Sequence, residues 1–459
     1  MVVAPVIGLI GPVSRWSLSR GALFPALPLV WVTLEALRMH WPDVGFSWLL
    51  VGHAWAAHPL TVQVADLGGV LAVSFVGACA STALLAWRMR RRGALPAVLV
   101  VATALLYGVW RPSTLPEPEA GPLIVSIQPG FPQELKEQQD MTAHRWQVCR
   151  QLALRAAAEH PQADLLVFPE TMWPGGVFED DRRGDPGPAF ALPTTPARDA
   201  LDDTLQQLSR QEAARLGELL AAFDGSTWAL IGTTLNGVLD LRNPPVRMQN
   251  SVLLFDSAGT ERDRYSKHIL IPGGEKLPLV DMVPSFVGEW IEQLVYSIAH
   301  FAPNLVPGPG PSVMRRGEHD FGVTICFENA YGDYTRRFVQ AGARYLVNLS
   351  NEGWFDTSAE FDHMQLQSVL RCVETRRAMF RSTNTGISSL VRPMGRMPRE
   401  ADVLQVNGQD RAVAGVFSAR VPLYSGSTLY TSIGDAWAWL AALFVLARCF
   451  FVARMARLP

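Results

Sequence analysis

The stretch FGVTICFENAYGD, residues 321–333, places a cysteine at the end of an apolar run that is typical of a buried strand. An acid, Glu328, follows Cys326 by two residues. Cysteine is among the most frequently buried residue types, so the simplest interpretation of Cys326 is packing in a hydrophobic core. The alternative is a nucleophile, which needs a base or a cation nearby to activate its thiol.

Strand-like runs and helical patterns alternate on both sides of this stretch. The alternation predicts an α/β domain with largely buried strands between about residues 115 and 430. The strand-like runs are 122–130, 163–171, 227–235, 250–259, 321–328 and 343–351, and the helical patterns are 141–160, 199–222 and 361–380. Two long Pro- and Gly-rich connections, 172–198 and 271–315, are typical of lids or binding loops.

The composition indicates a polar domain joined to membrane segments. Of the 459 residues, 49% are hydrophobic and 18% are charged, against about 25% charged in an average soluble domain. The net charge of −2 argues against a nucleic-acid partner, which requires a basic face. The five cysteines show no CxxC spacing, so neither a zinc site nor a disulfide framework is expected.

Apolar runs near both ends of the chain have the length of membrane spans. They are 22–38, 64–87, 94–110 and 434–453, each close to the ~17–25 residues that cross a hydrocarbon core. The alternative is a set of buried helices in a soluble protein. Residues 1–18 are interpreted as interfacial or as a partial span.

Basic residues orient these spans. The arginines within 88–92 lie between the second and third runs, and basic clusters favour the cytoplasmic side. The predicted organisation is a membrane region over 1–114 with about three transmembrane helices, an extracytoplasmic domain over 115–432, and a C-terminal transmembrane helix over 433–459.

Three strand ends or nearby loops carry residues with catalytic chemistry. Glu170 follows a buried run in VFPET, Lys267 lies in RYSKHILIPGGEKLP (264–278) with Glu275 eight residues later, and Cys326 ends its own run. A carboxylate can accept the thiol proton, and a lysine can stabilise the thiolate and an oxyanion. The three residues would form an acyl-transfer site if the fold brings them together.

Glu170 in FPET, Lys267 in YSKHILIPGGE and Cys326 in ICFE resemble, in that chain order, the Glu–Lys–Cys triad of the nitrilase (carbon–nitrogen hydrolase) superfamily. The closer match is its membrane branch, apolipoprotein N-acyltransferase, whose lysine motif has the same eight-residue offset to a glutamate. The stretch 348–388 is similar to that family's S-N-D-x-W-F-G, helix and R-x-x-N-x-G, and 428–440 is similar to its exit into the last span.

The resemblance implies a nitrilase-like α-β-β-α sandwich inserted between transmembrane helices. It implies that Cys326 is the nucleophile, Glu170 the general base and Lys267 the oxyanion-stabilising cation. Glu275 and Glu328 are implied as supporting acids. No metal and no cofactor is implied.

The resemblance also implies the substrates. A membrane phospholipid would donate a fatty acyl chain through a cysteine thioester to the N-terminal diacylglyceryl-cysteine amine of apolipoproteins. Trp354 and Phe355 are either ordinary core residues or, if they are exposed on a loop, line the acyl path. The long loops 172–198 and 271–315 are expected to form a lid and a membrane-dipping arm, because 271–291 mixes apolar and aromatic residues. The implied location is the bacterial inner membrane, multi-pass, with the catalytic domain on the periplasmic side.

The sequence departs from the family pattern at several points. IPGGE stands where the family has V-P-F-G-E, NEGWFD stands where it has N-D-x-W-F-G, and four spans are counted against the family's usual eight. A shortened membrane region is also found in TraB-type conjugal transfer proteins. Two alternatives therefore stay open, a membrane-anchored nitrilase-type amidase or hydrolase, and a TraB-like conjugal transfer protein without acyltransferase activity.

Overall fold

A computed structural model describes residues 24–41, 44–90, 93–133, 141–183, 200–239, 246–299, 304–355 and 358–455. The segment 1–18 lies outside the described residues. In chain order the described helices are α1 (Ala26–Met39), α2 (Val51–Ala56), α3 (Ala65–Arg88), α4 (Ala94–Trp110), α5 (Thr142–Glu159), α6 (Ala200–Leu220), α7 (Ser285–Ala299), α8 (Gly332–Gln340), α9 (Glu360–Thr375), α10 (Leu429–Ile433) and α11 (Ala436–Met455).

Helices stand at all four predicted spans, but they differ in length. Two of them, Val62–Arg88 and Ala94–Thr114, are long and apolar enough to cross a membrane. Helix α1 has 14 residues, and the apolar stretch recognised within α11 is limited to Ala436–Ala447. The described residues therefore support two of the four predicted spans by length and composition.

The part of the chain between α4 and α10 contains two β-sheets. The first has seven strands in the order β12-β1-β2-β4-β5-β6, with β3 beside β4. Its strands are β1 (Glu119–Gln128), β2 (Leu165–Phe168), β3 (Val177–Asp180), β4 (Trp228–Val238), β5 (Arg247–Phe255), β6 (Glu261–Ser266) and β12 (Gly415–Leu423). The second has five strands in the order β11-β10-β9-β8-β7. These are β7 (Val313–Met314), β8 (Phe321–Ile325), β9 (Tyr345–Ser350), β10 (Met379–Thr383) and β11 (Ser389–Val391).

The two sheets pack face to face and are covered by helices on their outer sides. Val167 of β2 and Val323 of β8 share one buried cluster between the sheets. Leu166, the neighbour of Val167, points to the opposite face because side chains alternate along a strand. It packs with Cys149 of α5 and Leu216 of α6. The predicted α-β-β-α sandwich of the nitrilase type is confirmed.

Some elements differ from the sequence-based prediction. The helix predicted over 361–380 ends at Thr375, where Arg376 adopts a left-handed conformation with φ of 50°. The chain then enters β10, because its apolar residues fill the core of the second sheet. The connection 271–315 contains helix α7 and is therefore not a loop throughout. The sequence-based prediction did not include strand β12. This strand pairs with β1, although the two strands lie almost 300 residues apart in the chain.

The membrane helices are joined to the sandwich by buried polar contacts. Asp66, in the first turn of α3, accepts a hydrogen bond of 2.7 Å from a guanidinium nitrogen of Arg376. Helix α3 is interrupted at Gly68 and Gly69, and the backbone N–H of Val70 donates to Glu374 Oε1 at 2.9 Å. Gly69 has φ of +68°, and a Cβ there would come within 2.4 Å of the Tyr430 ring. Glycine is required at this break because other residues disfavour both the angle and the contact.

Candidate active site

The site lies where the carboxyl ends of strands from both sheets meet. Glu170 follows β2 by two residues, Lys267 directly follows β6, and Cys326 directly follows β8. Strands β8 and β9 are parallel, so Cys326 also lies beside the end of β9. Functional side chains in α/β folds are commonly presented at strand ends, where loops are free to vary around a rigid sheet.

Glu170 is buried and is held by two hydrogen bonds. The side-chain amide of Asn250 donates to Glu170 Oε1 at 2.6 Å, and the backbone N–H of Asn351 donates to Oε2 at 2.6 Å. Only 5% of Glu170 is exposed. Both oxygens are thus fixed in direction, as a base that must accept one particular proton requires.

Lys267 is buried between two carboxylates. Its Nζ lies 2.7 Å from Glu275 Oε1 and 3.7 Å from Glu170 Oε1. Burial alone would lower the pKa of Lys267, but the negative charges of Glu275 and Glu170, and the charge that Cys326 carries only when ionised, outweigh burial and raise the pKa above its usual range. The second oxygen of Glu275 accepts from the backbone N–H of Ile271 at 2.9 Å. Lys267 therefore remains a fixed ammonium at neutral pH.

Cys326 occupies a sharp turn and is shielded from water. It has φ of 49° and is 5% exposed. Burial raises the pKa of the Cys326 thiol first, Glu170 raises it further, and Lys267 opposes them without reversing the shift. The resting side chain is a neutral thiol. A reaction at this thiol would therefore require a base that removes the proton as the sulfur attacks. Glu170 and Glu275 both act electrostatically on Cys326 and Lys267, and Glu170 has the larger effect on the thiol.

Glu328 is fully buried and joins the two segments that carry Lys267 and Cys326. Its Oε1 accepts from the hydroxyl of Tyr265 and from the backbone N–H of His268, both at 2.7 Å. Its Oε2 accepts from the backbone N–H of Ile325 at 2.8 Å. Burial raises the pKa of Glu328 from its usual value. These contacts fit a residue that fixes the distance between the lysine and the cysteine.

Trp354 and Phe355, the two aromatic residues considered for the acyl path, differ in burial. Phe355 is partly buried, and its ring centroid lies 5.7 Å from that of Trp48, in the segment that follows α1. Trp48 in turn contacts Phe327, the neighbour of Cys326, with ring centroids 5.4 Å apart. Trp354 is 64% exposed. The structure connects Phe355 to the site through Trp48 and leaves the indole of Trp354 on the surface.

Sequence reasoning missed several residues that shape the site. Asn250 and Asn351 hold Glu170, and nothing local distinguishes either of them from an ordinary strand-end amide. Glu352 forms a buried ion pair with Arg381. A Cβ on Gly386 would overlap the Glu352 carboxylate at 1.2 Å, so this position requires glycine. Asn351 and Glu352 directly follow β9, and polar residues at a strand end could have identified both as candidate site residues.

The other described cysteines, Cys79, Cys149 and Cys372, are buried and free. Cys149 and Cys372 lie on the domain helices α5 and α9, in the hydrophobic core, as the helical patterns predict. Cys149 and Cys372 are therefore suitable control positions for the substitution of Cys326.

Two family models match the chain. The carbon–nitrogen hydrolase model matches residues 133–405, and a model described as the apolipoprotein N-acyltransferase N-terminal domain matches residues 1–83. A protein of Geobacter metallireducens named apolipoprotein N-acyltransferase is 28% identical over 429 residues, which cover 91% of this chain and 72% of the relative. A protein of Caulobacter vibrioides with the same name is 28% identical over 420 residues, which cover 90% of this chain and 70% of the relative.

Solved structures of the nitrilase superfamily also match. An amidase from Nesterenkonia sp. has a TM-score of 0.40 at 16% identity, covering 70% of this chain and 96% of its own. A Saccharomyces cerevisiae protein described as a member of branch 10 of the superfamily has a TM-score of 0.43 at 16% identity, covering 66% of this chain and 91% of its own.

Proposed function

The chain belongs to the carbon–nitrogen hydrolase family, and we propose that it is a bacterial membrane acyltransferase that N-acylates apolipoproteins. The relatives that match about nine-tenths of the chain are apolipoprotein N-acyltransferases. The acyl donor in this proposal is a membrane phospholipid, and the acceptor is the α-amine of a diacylglyceryl-cysteine at a lipoprotein N-terminus.

One observation carries the proposal beyond family membership. Phe46 and Trp48, which follow α1 of the membrane region, pack against Phe327 beside Cys326, with ring centroids 5.6 and 5.4 Å apart. The segment that follows α1 of the membrane region therefore packs directly against the residue beside Cys326, and we take it as a wall of the proposed site. A hydrolase of small soluble substrates has no need of such a wall, whereas an enzyme whose substrates lie in the bilayer does.

The first half-reaction forms an acyl-enzyme. Glu170 takes the Cys326 proton as the sulfur attacks an ester carbonyl of the phospholipid. The Lys267 ammonium and backbone N–H groups beside Cys326 stabilise the oxyanion. The carbonyl–oxygen bond then breaks, and the lysophospholipid leaves as an alcohol with the proton that Glu170 returns. A thioester on Cys326 remains.

The second half-reaction transfers the acyl chain. The acceptor amine attacks the thioester carbonyl while Glu170 takes one amine proton. The carbon–sulfur bond breaks, an amide forms, and the proton returns to the Cys326 sulfur. Each cycle restores the thiol and the carboxylate, so neither half-reaction requires an external reductant or oxidant.

Helix α7 supports an approach from the bilayer. It exposes Phe286, Trp290 and Leu294, which are 72%, 62% and 44% exposed. Their spacing of four residues places them on one face of the helix. An apolar face of this kind on an amphipathic helix is typical of a segment that lies in a membrane interface.

Incubation with phospholipid alone is expected to add the mass of one acyl chain to Cys326. Two substrates that use one cysteine in turn imply ping-pong kinetics, so the intermediate accumulates when the acceptor is absent. Intact-protein and peptide mass spectrometry of the lipid-reconstituted chain would measure the adduct. A diacylglyceryl lipopeptide should then discharge it faster than water does, with formation of the N-acylated product.

Two results would contradict the acyltransferase assignment. Hydrolysis of a small amide with no acyl adduct from phospholipid would favour the membrane-anchored hydrolase. Absence of both reactions in reconstituted protein would favour a conjugal transfer protein without acyltransferase activity. Trapping on Cys372 instead of Cys326 would contradict the assignment of the nucleophile.

The proposed location of domain 115–432 is the extracytoplasmic side of the inner membrane. A cysteine at Ala200, which is exposed at the start of α6, should react with a membrane-impermeant maleimide in intact spheroplasts. A cysteine at Met89, which is exposed after α3, should react only after lysis, because the arginines near it favour the cytoplasm. The reverse pattern would place the domain in the cytoplasm and remove access to lipoproteins.

A further inference from the structure

A cavity of about 600 Å³ lies between the membrane region and the loop that follows β11. Leu60 and Val109 line it from the membrane region, and Arg392, Arg396 and Arg399 line it from the loop. Val391 of β11 pairs with Met379 at the start of β10. Cys326, by contrast, lies at the opposite, carboxyl ends of the parallel strands. The cavity is therefore separate from the candidate active site.

The walls of this cavity are held together by a buried glutamine. The Gln63 side-chain amide donates to the carbonyl oxygens of Pro59 and Met394, at 2.9 and 3.0 Å, and both of these residues line the cavity. Gly395 has φ of +70°, and a Cβ there would lie 2.3 Å from Gln63 Nε2. The loop thus docks closely on the membrane region, and the cavity is a fixed part of the fold.

The cavity lies at the end of a membrane-spanning helix. Val109 and Trp110, in the last turn of α4, are 64% and 57% exposed, and the Trp110 ring lies 5.8 Å from that of Tyr107. Trp and Tyr are enriched where a span leaves the hydrocarbon core and meets the headgroups. The cavity is therefore at headgroup depth at the end of α4 that leads into the sandwich.

The charge of the cavity is positive. Asp402 is its one acidic lining residue; it pairs with Arg392 and, at 3.1 Å, with Arg399. Arg396 is exposed, and no ion pair to it is found in the described part of the chain. Three arginines against one aspartate leave about two positive charges. Apolar side chains, including Met394 and Val109, complete the lining.

We propose that this cavity binds an anionic phospholipid of the leaflet at that end of α4. Its phosphate lies against Arg396 and Arg399, since guanidinium groups bind phosphate oxygens in a bidentate manner. Its acyl chains run along the exposed apolar face of α4, which includes Leu106 and Val109. Because both the membrane region and the sandwich line the cavity, the lipid fastens one to the other. This lipid is separate from the proposed acyl donor.

Native mass spectrometry of the full chain, with phosphatidylglycerol and phosphatidylcholine supplied together, tests the proposal. The wild-type chain should retain phosphatidylglycerol in preference. Arg396→Gln with Arg399→Gln should lower that retention by about 25-fold, since each positive charge near an anionic lipid contributes about fivefold. Arg396→Lys with Arg399→Lys should retain most binding. Both arginines are exposed, so the glutamine variant is expected to fold.

The matched control is Arg155→Gln with Arg210→Gln, which removes two exposed arginines from α5 and α6. This control should bind phosphatidylglycerol as the wild type does. An equal loss in both glutamine variants, no preference over phosphatidylcholine in the wild type, or full displacement of the lipid by inorganic phosphate would overturn the proposal. The readout is binding of intact lipid, so a failure of the proposed acyl transfer would leave this result unaffected.

Discussion

Replacement of Cys326 by alanine is expected to lower acyl transfer by on the order of 10⁶-fold, because removing the nucleophile of a covalent mechanism costs about that much. A methyl group has no sulfur to attack the ester, and the neighbouring residues offer no second thiol. Cys326 is 5% exposed, and the change removes one atom from a packed site. Membrane insertion and folding should therefore be preserved. Single-turnover transfer from a labelled phospholipid would measure the loss.

The control for this prediction is a cysteine of similar burial outside the site. Cys372, on α9, is completely buried and contacts the carbonyl oxygen of Val391 with its sulfur at 3.5 Å. Cys372→Ala should retain most activity, with a loss of stability of about 1 kcal/mol. Cys149→Ala should behave in the same way. Equal inactivation by all three substitutions would show that the effect is structural and would remove Cys326 from the mechanism.

Glu170→Gln is expected to lower acyl transfer by about 10²–10⁴-fold, the usual range for loss of a general base. The Cys326 thiol is neutral at rest because burial and Glu170 raise its pKa. An amide at position 170 cannot accept its proton. In the wild-type protein, the Asn250 side-chain amide and the Asn351 backbone N–H both donate to this carboxylate. The N–H₂ group of glutamine would therefore face one of these donors. The acyl adduct on Cys326 should consequently form slowly or not at all.

Glu212→Gln provides the matched comparison. Glu212 is buried on α6, accepts from Trp173 Nε1 at 2.6 Å and pairs with Arg215; neither Lys267 nor Cys326 is among the groups that shift its pKa. Loss of a buried carboxylate there should change stability by about 1–3 kcal/mol and leave transfer in the folded protein nearly unchanged. If Glu212→Gln and Glu170→Gln lowered transfer equally, or if Glu170→Gln still formed the adduct at the wild-type rate, another base would have to be sought.

Several site residues were predicted because their chemistry is local. Cys326 ends an apolar run and Glu170 closely follows one, so a reactive residue type at each of these strand ends is visible in the sequence. Lys267 follows the polar stretch ERDRYS (261–266) and was predicted from its resemblance to the family motif. Phe355 and Trp354 were treated alike because they are adjacent in the sequence. The fold separates them, since Phe355 contacts Trp48 while Trp354 is 64% exposed. Adjacent residues of a short turn point in different directions, and only the packing partner decides which one is covered.

The α/β class, the apolar segments and the chain order of the three candidate site residues can be read directly from the amino-acid sequence, because they depend on periodicity and residue type over short stretches. Which side chains contact one another follows only from the folded arrangement of the strands and helices. Glu170 and the Asn351 amide that holds it are 181 residues apart, and Asp66 and Arg376 are 310 apart. Such pairs are set by strand order and sheet packing, which bury many apolar side chains together. No local pattern encodes the partner of a buried polar group, because that partner is supplied by another element of the fold.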